Sequence, residues 1–160
     1  MVKYRFMNTF VLGFLLGVVT GLRSMTGPAA VSWAARLGWL QVGSTWLRFW
    51  GFAATPYIFT VLAIGEWIAD KLPQIPSRKA PGPFGARIVL GALCGAALGA
   101  RQSVVAGLVC GALGAVVGTL GGYEFRSRLV KAIGGKDFPI ALLEDAIAIG
   151  GALLIVFQFR

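Results

Sequence analysis

The chain contains no histidine. That absence excludes His-ligated zinc centres and Ser-His-Asp triads. Cysteine is scarce as well. Cys94 and Cys110 match no metal-binding spacing, and they read as small packing residues in helical segments. Acids are few, with 6 Asp and Glu against 15 Lys and Arg, for a net charge of +9. Charged residues of both signs reach only 13% of the 160-residue chain, whereas a soluble domain carries about 25%. A soluble fold of this size could not cover its surface with so few charges. A continuous basic face is missing too. Each basic cluster borders a hydrophobic run, which is how membrane proteins anchor and orient themselves, so nucleic acid is not an expected partner. No cofactor is expected either.

What is present is hydrocarbon. Apolar residues make up 57% of the sequence. A spanning helix needs roughly 20 mostly apolar residues, and five segments meet that need, some only with their flanks. They are about Phe6–Leu22, Phe52–Leu72 (with Pro56 in its first turns), Gly85–Ala100, Val104–Tyr123 and Phe138–Phe159. The first, preceded by Lys3 and Arg5, has the look of a signal peptide but is long for one. An uncleaved helix is the expectation, with cleavage near Ala30 as the alternative. The segment 24–49 is broken by Arg36, Gly38 and Gly43, and Trp33, Trp39, Trp46 and, just past its end, Trp50 are residues suited to interfacial depth. It reads as a re-entrant or surface pair of helices, or else as a sixth span. The expected fold is therefore all-α: one polytopic membrane helix bundle over residues 1–160, with about five transmembrane helices.

With five alternating spans and a cytoplasmic N-terminus, ten basic residues fall inside and five outside, Arg23 among the latter. The four-proline loop between Pro73 and Pro83 reads as a stiff cytoplasmic connector, or as a ligand for a partner domain. Glycines recur every four residues at Gly13, Gly17 and Gly21, at Gly91, Gly95 and Gly99, at Gly107 and Gly111, and at Gly114, Gly118 and Gly122. This spacing suits close helix packing within one chain, or contact between copies in a homo-oligomer. Leu16-Gly17 before Arg23-Ser24 echoes Leu120-Gly121 before Arg126-Ser127. Under five alternating spans this would suit an inverted repeat.

Four of the six acids lie in or at the edge of spans: Glu66, Asp70, Glu144 and Asp145. A charge at mid-bilayer costs about 2.5–3.5 kcal/mol on the insertion scale, so these groups must be neutral, hydrated or paired. Glu66 and Asp70 are four apart and share a helix face, so their like charges need compensation. Asp145 is in line with Ala141, Ala148 and Ala152 and is expected to face the bundle interior. Glu144 points about 100° away and is expected to bind an arginine. Arg126 and Arg128 are the expected ion-pair partners. Together the acids could bind and release a cation or proton, or could simply lock helices. A second constellation, Arg23, Ser24 and Thr26 beside glycines and before a helix start, would suit an anion or a substrate carboxylate at the opposite mouth of a pathway. The plainer reading there is capping plus a snorkelling arginine.

Gly21-Leu22-Arg23-Ser24, the Glu66-x-x-x-Asp70-Lys71-x-Pro73 piece and the Glu144-Asp145 pair resemble the bacterial membrane-protein family known as domain of unknown function 4126. The resemblance covers nearly the whole chain. It implies a small bacterial inner-membrane protein and brings no activity with it. On the residues alone, the expected function is a small transporter or channel component acting on an ion or small molecule. A non-transporting assembly protein comes second and a lipid-modifying enzyme third, since no nucleophile is placed beside a base.

Overall fold

The computed structural model describes residues 2–71, 80–135 and 137–160, with side chains from Thr9 onward. Six α-helices and one 3-10 helix follow one another: α1 (Val2–Leu22), α2 (Thr26–Arg36), the 3-10 helix Trp46–Gly51, α3 (Thr55–Ala69), α4 (Pro81–Leu98), α5 (Val104–Ala132) and α6 (Phe138–Phe157). No strand occurs among the described residues. The chain forms a helical membrane bundle. α4, α5 and α6 are long and apolar enough to cross a bilayer, and Thr9–Leu22 and Thr55–Ala69 are shorter apolar helices.

Local signals set the helix ends. Prolines occupy the first turns of α3, α4 and α6, where a missing N–H costs nothing. The Ser103 hydroxyl accepts the Ala106 N–H at 3.2 Å and caps α5. α2 stops where Gly38 takes φ +78°. There the Trp39 N–H reaches the Ala34 carbonyl and the Gly38 N–H reaches that of Ala35, a Schellman closure. Gly134, at φ +76°, ends α5 in the same way. α4 begins four residues before the expected Gly85, because Pro81 and Pro83 open a helix instead of extending a loop. The rest of the proline-rich connector, 72–79, lies outside the described residues, as does Lys136.

The packing is inverted relative to a soluble domain. Large apolar side chains such as Val61, Val105 and Leu154 point outward, each about 70% exposed (68%, 71% and 69%). Small residues fill the centre, where α1, α4 and α5 meet on glycine. A Cβ on Gly17 would fall on the Gly111 carbonyl, one on Gly111 on the Gly91 carbonyl, one on Gly95 on the Gly107 carbonyl, and one on Gly118 on the Val18 carbonyl. In lipid, where apolar burial gains little, such close backbone approach is what holds helices together. Among the described residues, these glycine faces are used within one chain.

The same contacts give the helix directions. Gly13, Gly17 and Gly21 pair with Gly107, Gly111 and Ala115, so α1 and α5 run parallel, while α4 runs against both. The relation between the helices that carry Arg23 and Arg126 is therefore not the inverted one expected from the sequence. α2 runs against α3, with Trp33 donating to Thr60 and Trp67 to Thr26. Its far end, at Trp39, meets Phe157 at the end of α6. The segment 24–49 thus returns the chain to the end where α1 began, although α2 alone, at 11 residues, is only about 16 Å long. α1 and α3 consequently finish at the same end of the bundle. Thr9 and Gln102 meet at the other end, 3.0 Å apart. Strict alternation of five spans, which put Gln102 opposite the N-terminus and Arg23 opposite Lys71, is overturned by these contacts.

Candidate functional site: a charged cluster at one end of the bundle

Because α1 and α3 end together and α6 begins there, residues far apart in sequence converge. Arg23 follows the last turn of α1 and is fully buried. Its guanidinium contacts Asp70, lies 2.7 Å (Nε) from Asp145 Oδ1 and 3.7 Å (Nη2) from Glu144 Oε2. None of its nitrogens meets hydrogen-bond geometry, so the attraction is close but poorly directed. Arg126, on α5, donates from Nη1 to Asp70 Oδ2 at 2.6 Å and to Glu144 Oε2 at 3.3 Å. It also grips Asp137 with Nε and Nη2 at 2.8 and 2.6 Å. Lys71 donates to Asp145 Oδ2 at 2.9 Å and to the Trp67 carbonyl at 2.8 Å. Asp145 thus bridges Arg23 and Lys71, and Asp70 bridges Arg23 and Arg126.

Glu66 lies on the same helix as Asp70 but serves a different purpose. Its Oε1 accepts the Ser24 N–H at 2.8 Å and the Ser24 hydroxyl at 2.6 Å, and its Oε2 accepts the Met25 N–H at 2.9 Å. These groups lie at the start of α2, which has no side-chain cap of its own. A carboxylate there satisfies free N–H groups and opposes the positive end of the helix dipole. Arg87 Nη2, at 3.7 Å, supplies a countercharge. Among the described residues, each of the four carboxylates Glu66, Asp70, Glu144 and Asp145 lies against at least one of the cations Arg23, Lys71, Arg87 and Arg126.

The structure brings all four expected acids to one end, with Asp145 and Glu144 both buried and Glu144 on arginine, as the helix geometry suggested. Two expectations change. The site around Arg23, Ser24 and Thr26 does not form an opposite mouth. It belongs to the acid cluster, and the anion it holds is the protein's own Glu66. Thr26 receives Trp67 Nε1 at 3.2 Å. Arg126 reaches the acids, but Arg128, two residues and about 200° further round the helix, joins no ion pair among the described residues. The sequence reading missed Lys71, Arg87 and Asp137 as members. Arg87 left one signal, as a lone cation in the second turn of an otherwise apolar helix. No cluster of three or more Cys, Asp or Glu suited to a metal ion occurs among the described residues.

No protein-family model matches the chain, and no curated protein or solved structure matches it either.

Proposed function

We propose that the protein is a small carrier, moving a proton or monovalent cation, in which the charged cluster is both the site and the gate. The observation that carries this reading is the contrast in how the helices are tied. α1, α4 and α5 interlock through glycine backbones. α3 packs on α2 and the 3-10 helix, and its ties to α1, α4 and α6 run mainly through charged side chains. Burying ions costs several kcal/mol each, and apolar packing would hold helices at least as well. Ionisable groups inside a membrane bundle are functional by default. A proton or cation arriving at Asp70 or Asp145 would weaken the hold of Arg23 and Lys71 and let α3 part from the glycine-packed side. The second reading, a charge lock in a non-transporting assembly protein, draws on the pairing of each of these four carboxylates with a cation.

Flux in proteoliposomes separates the two. The carrier reading expects proton- or cation-driven flux that is lost in Asp145→Asn and Asp70→Asn while the protein stays monodisperse. It also expects Lys71→Gln, which loosens a partly exposed strut, to leak. A wild-type protein with no flux under any cation or proton gradient would overturn the carrier and leave the lock. The bacterial inner membrane, membership of the family resembled and a cytoplasmic N-terminus belong to the same proposal. A reporter at Gln102 is then expected in the cytoplasm, and a periplasmic signal would refute the arrangement. Pairing of copies is tested by crosslinking in the membrane.

A further inference from the structure

One apolar cavity leads away from the charged cluster. It is a groove of about 290 Å³ between α2, α3 and α6, open at the bundle perimeter. Its depth comes from alanines, among them Ala29, Ala34 and Ala152, and its walls from Trp33, Trp67 and Phe157. The polar groups in those walls are satisfied internally. Trp33 donates to Thr60 (3.0 Å), Thr60 to the Pro56 carbonyl (2.7 Å) and Trp67 to Thr26 (3.2 Å). The surface left facing the groove is carbon, suited to hydrocarbon and not to a polar solute. The groove follows α2 for about 16 Å, close to the ~15 Å depth of one leaflet of a 30 Å core. A helix, at about 10 Å across with its side chains, is too wide for this volume.

Charge decides which lipid. Every acid of the chain lies toward the other end of the bundle: Glu66, Asp70, Asp137, Glu144 and Asp145 in the cluster, and Glu124 on α5 beside Arg126. At the Trp39 end the Arg160 guanidinium lies 6.0 Å from the Trp39 ring centre, and exposed Arg36 closes the last turn of α2. Among the described residues, no Asp or Glu side chain lies there to pair with either. The geometry points to a bound anionic phospholipid, with one acyl chain in the α2–α3–α6 groove and its phosphate between Arg36 and Arg160. This site is independent of the carrier reading and needs only the membrane bundle.

Native mass spectrometry of the detergent-purified chain, titrated with phosphatidylglycerol or phosphatidylcholine of identical acyl chains, tests it. Wild type is expected to retain phosphatidylglycerol at least tenfold better. Arg36→Gln with Arg160→Gln is expected to bring phosphatidylglycerol down to the phosphatidylcholine level. Ala29→Phe, at a half-buried groove position, is expected to abolish retention of both. Ala29→Leu serves as a milder filling should the phenylalanine impair assembly. Equal retention of the two lipids by wild type, or retention unchanged by filling the groove in a folded variant, would overturn the proposal.

Discussion

Along α1 the chain is held in two ways within a few residues of each other. From Gly17 to Gly21 it lies backbone to backbone against α5. At Arg23 it is surrounded by carboxylates from α3 and α6. The first kind of contact has one geometry. It depends on the absence of a side chain, is indifferent to pH and salt, and has no partner to exchange. The second has several near-equivalent geometries, since Asp70, Glu144 and Asp145 are each within reach of more than one cation. A bundle that joins both can keep one side fixed while the other changes partners.

The sharpest way to break the comparison is in the seam. Gly111 faces Gly17, Gly91 and Gly95 at once. A Cβ on Gly111 would meet the Gly91 carbonyl and the Gly95 backbone, so Gly111→Leu drives its side chain into α4, beyond the usual ~1–3 kcal/mol for an added core side chain and into the exceptional range above ~4 kcal/mol. The expected result is no monodisperse protein in detergent by size exclusion. At the charged end, single and double losses diverge. Asp145→Asn leaves Arg23 and Lys71 without their shared carboxylate and should cost about 3–5 kcal/mol. Arg23→Met combined with Asp145→Leu removes both charges and should regain most of that loss in a thermal-shift or steric-trapping measurement. Additive losses would show that the two residues do not interact. A smaller effect belongs to Thr119, whose hydroxyl lies 2.8 Å from the Ala115 carbonyl and 3.2 Å from that of Gly21 on α1. Thr119→Val keeps the shape and should cost about 0.6–1 kcal/mol by the same measurement. A larger drop would mean that the seam relies on hydrogen bonding as well as on close approach.

The two regions also differ in how far the sequence revealed them. The glycine spacing of four is a one-dimensional signal, so the seam could be read directly, although not which helices it joined. The acids could be flagged because charge in lipid is costly wherever it falls. Their partners could not, because pairing depends on helix direction. Direction turned on residues 24–49, where Trp33 and Arg36 signalled an interface while the Schellman closure at Gly38 and the Trp39–Phe157 contact show the chain reaching the far end. Reading that segment as staying on one side separated Arg23 from Asp70 by a membrane thickness, and every later assignment of sides inherited the error. Ser24 shows the same limit locally. Free N–H groups at a helix start announce an anion, but only the fold shows that Glu66, 42 residues on, supplies it.

The smallest effect tests where the charged end stops behaving as membrane interior. Asp137 meets Arg126 through two hydrogen bonds, a geometry that favours a strong pair. Its side chain is nevertheless 52% exposed, against 14% for Asp70 on the same arginine. Water then competes for both partners, and exposed pairs contribute about 0.2–1 kcal/mol. Asp137→Asn should therefore lower stability by no more than that, and the deficit should shrink when salt is raised from low to near-molar ionic strength, where screening acts within about 3 Å. Asp70→Asn should lose several times more, with little dependence on salt, because its partners Arg23 and Arg126 are 0% and 16% exposed. Equal, salt-sensitive losses for the two variants would place the whole cluster in water, and the contrast between a fixed hydrocarbon seam and a buried ionic gate would then fail.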